Sequence, residues 1–197
     1  MTRLFTESTL LIASGNSGKI AEIRALLAPY PIIVQSAASF GLAEPEETGL
    51  TFAENAQLKA RYYSAHTTLP ALADDSGLCV DGLGGAPGIY SARWAGENKD
   101  FNLAIARIEQ ELGGSTNRKA YFVCALSLCW PDGHVVTVEG TVHGTLVFPA
   151  RGTFGFGYDP VFIPDGHTQT FGEMPHAEKE NISHRSDAFA KLIAQVF

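Results

Sequence analysis

The sequence predicts a mixed α/β fold. In the first half of the 197-residue chain, short apolar runs alternate with segments of helical period, and two long strand-like segments then flank a turn tripeptide. Alternating strands and helices favour parallel pairing, whereas a tight turn favours antiparallel pairing, so we expect one mixed sheet with flanking helices. The length and a hydrophobic content of 45% fit one domain or two closely joined lobes, and we expect a single cooperative unit.

The chain opens with a strand, a loop and a helix. Thr9–Ser14 is a short apolar run that stops at Gly15, which predicts a buried strand leading into a loop. Apolar residues three and four apart over Lys19–Leu27 predict a helix that ends before Pro29. A second strand is expected over Ile32–Ser36.

A second helix is expected to follow Thr51. Thr51 and Glu54 form a capping box, and alanine-rich sequence continues the helix to about Ala65. Asn55 and Lys59, four residues apart, then share one face of this helix.

The middle of the chain combines carboxylates with glycines. Ala71–Asp75 is expected to be a strand that ends in two aspartates. The following stretch, Gly77–Gly88, contains five glycines, which is typical of irregular backbone that packs closely or lies near a ligand.

Four further elements are predicted after this stretch. Asp100–Leu112 has a helical repeat closed by two glycines. Lys119–Trp130 and His134–Phe148 flank Pro-Asp-Gly and predict an antiparallel hairpin, and Ser186–Val196 predicts a closing helix.

Composition limits the partners and the compartment. A formal net charge of −7 argues against a nucleic-acid or anionic-membrane surface, so an anionic substrate would need a local basic pocket or a metal. No apolar stretch suits a signal peptide or a membrane span, and we expect a cytoplasmic protein. The three cysteines form no CxxC pair and are expected to be reduced; the histidines show no zinc-site spacing, so a metal should be hard and oxygen-bound.

The segment Ser14–Lys19, SGNSGK, is a candidate phosphate-binding loop. It lies between a predicted strand and a predicted helix, where free backbone N–H groups and the positive helix end hold anions, and Lys19 adds a full charge. It is not a Walker A loop, because only two residues separate Gly15 and Gly18 and Ile20 follows the lysine. Taken alone, the segment is more typical of a plain strand-to-helix turn than of a phosphate-binding loop.

Two groups of acids are candidates for metal binding. Asp74 and Asp75 are adjacent at a predicted strand end, and like charges held together favour a cation such as Mg²⁺. Glu44, Glu46 and Glu47 lie in one loop, where acids are commonly only solvated.

Two later segments are candidates for contacts with a base. Phe154–Pro160, FGFGYDP, mixes aromatic residues and glycines in a way that suits a ring stacked on a base, although a β-bulge with core aromatics is the simpler interpretation. Ser183-His184-Arg185 precedes the last predicted helix and is also consistent with an N-cap and a solvated basic pair.

The combination of these segments resembles the inosine/xanthosine triphosphate pyrophosphatase family, also called the Ham1-like proteins. The matching segments, in chain order, are SGNSGK (14–19), ETGLTFAENAQLKA (47–60), LADDSGLCVDGLGGAPGIYSARWAG (72–96), FGYDPVF (156–162) and EKENISHR (178–185). The resemblance runs in order over nearly the whole chain. It implies an elongated mixed α/β fold with two lobes around an active-site cleft, usually a homodimer, and a Mg²⁺ cofactor.

The resemblance also implies roles for individual residues. The triphosphate is expected to bind at Ser14, Gly15, Asn16, Ser17, Gly18 and Lys19, with Lys59 as a second phosphate-contacting lysine and Ser76 as a further substrate contact. The metal is expected at Glu47 and Asp75, with Asp75 also the base and Asp74 a further acid on the metal. The base pocket is expected to comprise Phe156, Gly157, Tyr158, Asp159, Lys179, His184 and Arg185.

The implied activity is hydrolysis of dITP, ITP, XTP and dXTP to the monophosphate and pyrophosphate, which removes them from the nucleotide pool. Arg185, aided by His184 or a backbone N–H, is expected to donate to the purine O6, and Asp159 to accept from N1–H. The alternatives are a pyrophosphatase for modified pyrimidine triphosphates and a nucleotide-binding regulator without turnover. The sequence departs from the family at Thr153-Phe154 and at Ser186-Asp187, where Asp187 places a negative charge near Arg185.

Overall fold

The computed structural model describes residues 3–197, in which six strands form one mixed sheet. Strands β1 to β6 cover, in order, Thr9–Ala13, Ile33–Ser36, Ala71–Val80, Lys119–Cys129, Val135–Leu146 and Phe162–Pro164. The order across the sheet is β2-β1-β3-β4-β5-β6. β1 pairs in parallel with β2 and β3, and β5 pairs antiparallel with β6, which confirms the predicted mixed α/β class.

Six α-helices accompany the sheet within the described residues. Helices α1 to α6 cover, in order, Ser17–Leu27, Phe52–Thr67, Ser91–Trp94, Phe101–Leu112, His176–Ile182 and His184–Val196. The capping box at the start of α2 is confirmed, since the Thr51 side chain accepts from the Glu54 N–H and the Glu54 side chain accepts from the Thr51 N–H. None of these helices is long and apolar enough to cross a membrane.

The chain divides into two compact units, and the expectation that they unfold as one cooperative unit stays a prediction. The first unit comprises the described residues up to Asp75 together with Cys124–Gly140 and Arg185–Phe197. Its main core includes Ile12, Ile23, Leu72, Leu126 and Trp130.

The second unit comprises Ser76–Val123 and Thr141–His184. Its core is rich in aromatic side chains and includes Leu78, Ile108, Phe122, Phe162 and Phe171. Ring contacts join Phe122 to Phe162 and Phe162 to Phe171, with centroids 4.7 and 5.3 Å apart.

Two boundaries differ from the sequence predictions. β3 continues through Gly77 to Val80, so the first part of the expected irregular loop is buried strand. Gly77 permits this because a Cβ there would lie 2.4 Å from both the Gly88 carbonyl oxygen and Ser91 Oγ. The last helix begins at His184 instead of Ser186, which places His184 and Arg185 in its first turn.

The predicted hairpin is present as two neighbouring strands. β4 and β5 are adjacent in the sheet, and their connection turns at Gly133, whose φ is 86° and whose N–H donates to the Trp130 carbonyl. The strand β6 and the short helices α3 and α5 were not predicted, because segments of three to seven residues carry little periodic signal.

Candidate functional site

The loop after β1 forms the capped start of α1. The Ser14 hydroxyl accepts from the Asn16 N–H at 3.1 Å, and Asn16 Oδ1 accepts from the N–H groups of Gly18 and Lys19 at 2.9 and 3.2 Å. Asn16 is therefore the N-cap, and Gly15 and Ser17 flank it at the positive end of the helix. The predicted order of strand, loop and helix is confirmed, whereas the binding of phosphate by this loop stays a prediction.

Four side chains of alternating charge form a series of ion pairs that begins at this loop; three of them are buried, and Lys19 is half-buried. Asp74 Oδ1 lies 2.6 Å from Lys19 Nζ, and Asp74 Oδ2 accepts from Arg185 Nε at 2.8 Å. The Arg185 Nη1 group in turn pairs with Glu22 Oε2. α1, β3 and α6 thus contribute a chain of charges that runs from Glu22 through Arg185 and Asp74 to Lys19.

The buried charges around Asp74 shift the pKa of its carboxyl and that of a neighbouring thiol. Burial opposes the charge on Asp74, but the Arg185 and Lys19 cations hold the pKa of its carboxyl well below the ordinary value. Burial and the neighbouring Asp74 carboxylate raise the pKa of the Cys124 thiol well above its usual range, so the thiol donates to Asp74 Oδ2 at 3.1 Å. Asp74 is therefore ionised, and each of its carboxylate oxygens contacts a cationic group of the first unit.

Asp75, the next residue along β3, has a different environment. Lys59 Nζ lies 2.6 Å from Glu47 Oε1 and 3.7 Å from Asp75 Oδ1. Burial raises the pKa of Asp75 above its ordinary value, against the attraction of Lys59 and Lys19. Asp75 Oδ2 is buried and accepts no hydrogen bond from the described residues. A buried carboxylate with raised basicity and an unused oxygen suits a general base.

Lys59 keeps its charge between these acids. Burial disfavours the ammonium form, yet the Asp75 and Glu47 carboxylates raise the pKa of Lys59 above the ordinary value. Asn55, one turn earlier on α2, is fully buried and accepts from the Gly49 N–H at 2.8 Å. Asn55 therefore anchors the loop that carries Glu47.

The second unit contains a buried ion pair under an aromatic ring. Lys179 Nζ lies 2.6 Å from Asp159 Oδ2, which also accepts from the Phe156 N–H at 2.8 Å. The Lys179 ammonium lies 4.9 Å from the centre of the half-buried Phe156 ring. Gly155 has a φ of 72°, and a Cβ there would lie 2.0 Å from Asp159 Oδ2, so this turn requires glycine.

Gly157, Tyr158 and His184, which were also predicted for the base pocket, lie in or beside the core of the second unit, whereas Arg185 belongs to the first unit and pairs with Asp74 and Glu22. Tyr158 is buried and donates its hydroxyl to the Ser91 carbonyl at 2.8 Å, and Gly157 follows Phe156 with a φ of 67°. The buried His184 ring stacks on Phe122, with centroids 4.9 Å apart. Tyr158 thus supports the Phe156 segment from within the core, through packing and one hydrogen bond.

A sequence profile of the Ham1 family matches residues 10–195. The chain belongs to the Ham1 family. Proteins named dITP/XTP pyrophosphatase are 59% identical to it in Rhodospirillum centenum, over 99% of this chain and 98% of the relative, and 55% identical in Zymomonas mobilis, over 94% and 90%.

Solved Ham1 structures have the same fold. The Staphylococcus aureus Ham1 protein has a TM-score of 0.85 at 39% identity, covering 94% of this chain and 96% of its own. A Coxiella burnetii HAM1 protein has a TM-score of 0.83 at 36% identity, covering 95% and 98%. The fold and the family predicted from the sequence are therefore confirmed.

Few side chains of the described residues are placed to bind a metal ion. Within residues 3–197, no group of three or more His, Cys, Asp or Glu side chains is arranged to hold a metal ion. Glu47 and Asp75 are brought together around Lys59, whereas Asp74 is held by Lys19 and Arg185. Ser76 follows Asp75 in β3.

Two residues around these charges, Glu22 and Cys124, were not singled out by the sequence analysis, and Asn55 was singled out only for sharing a helix face with Lys59. Glu22 lies three residues after Lys19, and this spacing places both on one face of α1, which is a signal that the sequence did contain. The roles of Cys124 and of the Asn55 amide depend on contacts that local patterns do not carry.

Proposed function

We propose that this Ham1 protein hydrolyses dITP, ITP, XTP and dXTP to the nucleoside monophosphate and pyrophosphate. The observation that carries the proposal is the buried Asp75 carboxylate, with an unused oxygen, 3.7 Å from the Lys59 ammonium. Relatives more than 50% identical over almost the full chain are named for the dITP/XTP pyrophosphatase activity. In the cell this activity would remove non-standard purines from the nucleotide pool.

The residues of the first unit supply the parts needed to cleave a phosphoric anhydride. Asp75 Oδ2 would accept a proton from the water that attacks the α phosphate. Lys19 and Lys59 would offset the negative charge that develops on the phosphate oxygens, and the positive end of α1 would add to this effect. Ser14, the first residue of the SGNSGK loop, and Ser76, which follows Asp75 in β3, are the hydroxyls proposed to contact the substrate.

The Glu47 and Asp75 carboxylates also fit Mg²⁺. Mg²⁺ commonly binds one or two carboxylates together with substrate phosphates and water, so a third protein ligand is not required. Glu47 and Asp75 share the single Lys59 ammonium, and a divalent cation would balance the excess negative charge. The unused Asp75 Oδ2 is the oxygen that remains without a partner there. When bound, Mg²⁺ would polarise the phosphate oxygens. We assign Asp74 no direct bond to it, since both Asp74 oxygens already bind cationic groups.

The Phe156 segment of the second unit would recognise the base. The half-buried Phe156 ring offers a stacking face, and Asp159 is the proposed acceptor for the purine N1–H. Arg185, aided by His184 or a backbone N–H, would donate to O6. Adenine has an amino donor in place of O6 and an acceptor in place of N1–H. The protein groups that face both positions would then be unpaired, which would weaken the binding of adenine. Guanine keeps both positions, so its exclusion must depend on the 2-amino group.

A panel of triphosphates tests the proposal. The purified protein is incubated with Mg²⁺ and with the triphosphates of inosine, xanthosine, guanosine, adenosine and modified pyrimidines, and the products are separated by chromatography. Inosine and xanthosine triphosphates should give monophosphate and pyrophosphate far faster than guanosine triphosphate, with adenosine triphosphate the poorest purine. Diphosphate plus phosphate as products, or adenosine triphosphate within threefold of inosine triphosphate in kcat/KM, would overturn it.

The homodimer and the cytoplasmic location belong to the same proposal. The family resemblance supports the homodimer, and the three free cysteines are consistent with the reducing environment of the cytoplasm. Light scattering coupled to gel filtration, which measures the mass in solution against the 21.1 kDa of one chain, tests the dimer.

A further inference from the structure

Two side chains on one face of α2 hold the loop that carries Glu47. The Lys59 ammonium contacts the Glu47 carboxylate, with 2.6 Å between Nζ and Oε1. Asn55, one helical turn earlier, is fully buried, and its Oδ1 accepts from the Gly49 N–H at 2.8 Å. The loop is therefore fixed to the helix at the Glu47 side chain and again at the backbone two residues later.

The loop and the helix pack closely at Gly49. A Cβ at this position would lie 2.7 Å from Asn55 Oδ1 and 2.7 Å from the Cβ of Glu54. Any other residue at position 49 would therefore push the loop away from α2. The hydrogen bond to Asn55 thus depends on a glycine in the loop as well as on an amide in the helix.

The two contacts with α2 would respond differently to a bound cation. A divalent cation on the Glu47 carboxylate would compete with the Lys59 ammonium for the same oxygens. The hydrogen bond between Gly49 and Asn55 joins a backbone N–H to a neutral amide, so it leaves the carboxylate free. It is therefore the contact that can hold the loop both with and without the cation.

We propose that Asn55 is a positioning residue, which places the Glu47 carboxylate for Mg²⁺ by holding the Gly49 N–H. The inference rests on the proposed function, in which Glu47 and Asp75 bind Mg²⁺. Partners that orient the ligands of a metal commonly contribute about 10- to 100-fold to its affinity. A residue with a purely structural role would instead affect the stability and leave the affinity unchanged.

Two variants break the hydrogen bond from opposite sides. N55L has nearly the shape of the natural side chain but no acceptor, and the Nδ2 group that it also removes donates to none of the described residues. G49A leaves Asn55 in place and inserts a methyl group against its oxygen. Because Gly49 is only partly buried, water can reach its N–H in N55L, and we expect this variant to fold.

Binding of Mn²⁺ to the substrate-free protein tests the inference. The electron paramagnetic resonance signal of the free ion gives the affinity, and E47Q identifies the binding that depends on Glu47. N55L and G49A should each weaken that binding roughly 10- to 100-fold. The double variant should bind no more weakly than the weaker single variant, because both substitutions remove the same contact. In NMR, the Gly49 N–H should exchange with solvent faster in N55L than in the wild-type protein.

Ser64→Ala is the matched control. Ser64 lies on the same helix, is buried, and donates its hydroxyl to the Leu69 carbonyl at 2.9 Å, so S64A also removes one buried hydrogen bond. This variant should unfold at a lower temperature than the wild-type protein and should bind Mn²⁺ as the wild-type protein does. Circular dichroism checks that each variant is folded.

Three results would overturn the inference. They are wild-type Mn²⁺ affinity in either N55L or G49A when that variant is folded, an equal loss of affinity in S64A, and a wild-type protein without Mn²⁺ binding that E47Q removes. Failure of the proposed function is a separate result, since the wild-type protein would then release no pyrophosphate from inosine triphosphate. The Mn²⁺ affinities would still show whether Asn55 positions Glu47.

Discussion

The charged groups of the first unit and those of the second differ in their exposure and in the number of partners that they share, and the proposed function assigns them different parts of the ligand. In the first unit, four acids and three bases interact through shared partners, and Glu47 and Lys19 keep 26% and 14% of their side chains exposed. In the second unit, Asp159 and Lys179 form a 2.6 Å pair with both side chains 3% exposed, next to aromatic rings. The first arrangement can exchange partners with a polyanion and a cation. The second is a buried ion pair beside aromatic rings, and the proposed function makes it the support of the purine ring.

The largest expected effect is that of Asp75→Asn. The amide neither accepts the proton nor carries the charge, so kcat should fall by about 10²- to 10⁴-fold while the protein stays folded. The control is Asp165→Asn, which changes an exposed aspartate and should leave kcat unchanged. Wild-type turnover of Asp75→Asn across a pH series would show that the base is elsewhere.

The same variant has an expected pH signature in stability. Burial raises the folded-state pKa of Asp75, so ionised Asp75 costs stability, and this cost disappears as the pH falls through the raised pKa. Thermal unfolding in the presence of a chelator should therefore show Asp75→Asn at least as stable as wild type at neutral pH. The difference should shrink toward acid pH.

Lys19→Ala should have the next largest effect. A lysine on the phosphates binds the ground state and the more charged transition state, so KM should rise and kcat fall, with a combined loss of roughly 100-fold in kcat/KM. Lys119→Ala, an exposed lysine in the second unit, is the matched control and should show wild-type kinetics. Unchanged kinetics in Lys19→Ala would leave the SGNSGK loop as a structural turn.

Phe156→Ala tests the platform of the second unit. Stacking of a base on an aromatic ring contributes about 1–3 kcal/mol, so KM for inosine triphosphate should rise roughly 5- to 100-fold, with a smaller change in kcat. Phe154→Ala provides the control, because Phe154 lies in the same loop and is 54% exposed. If both substitutions raise KM for inosine triphosphate equally, Phe156 does not stack on the base.

The smallest effect is expected for Asp187→Asn. Asp187 departs from the family pattern beside Arg185, and its Oδ2 pairs at 2.8 Å with Lys191 on the exposed side of α6. Such exposed pairs contribute about 0–1 kcal/mol, so the unfolding midpoint and the base preference should be almost unchanged. A change in the inosine-to-adenosine ratio would show that Asp187 acts on recognition of the base.

The sequence predicted the elements with strong local signals and missed those set by distant contacts. α2 begins after Thr51 because its capping box is a local feature, and α4 ends at Leu112 before two glycines. The length of β3 was underestimated because burial, which local glycine content does not reveal, decides that Gly77 is in a strand. The strand, loop and helix around SGNSGK were predicted, whereas phosphate binding by this loop, Lys19 and Lys59 stays a prediction.

The contacts within the charged chain lay beyond any local pattern. Arg185 and Asp74 are 111 residues apart, and Arg185 and Glu22 are 163 residues apart. From the sequence alone, Arg185 is as consistent with a contact to a base as with a buried ion pair. Residue types and motif spacing identified Asp74 and Asp75 as a pair, but only their surroundings give them opposite pKa shifts.

The three buried cysteines give this protein its own reporters of opening. All three are outside disulfides, and burial raises the pKa of each thiol. Thiol reagents attack the thiolate, so a reagent in solution must wait until the backbone around a cysteine exposes it. Cys79 lies in the second unit and Cys124 and Cys129 in the first, so labelling rates followed cysteine by cysteine measure how often each unit opens, without an introduced probe.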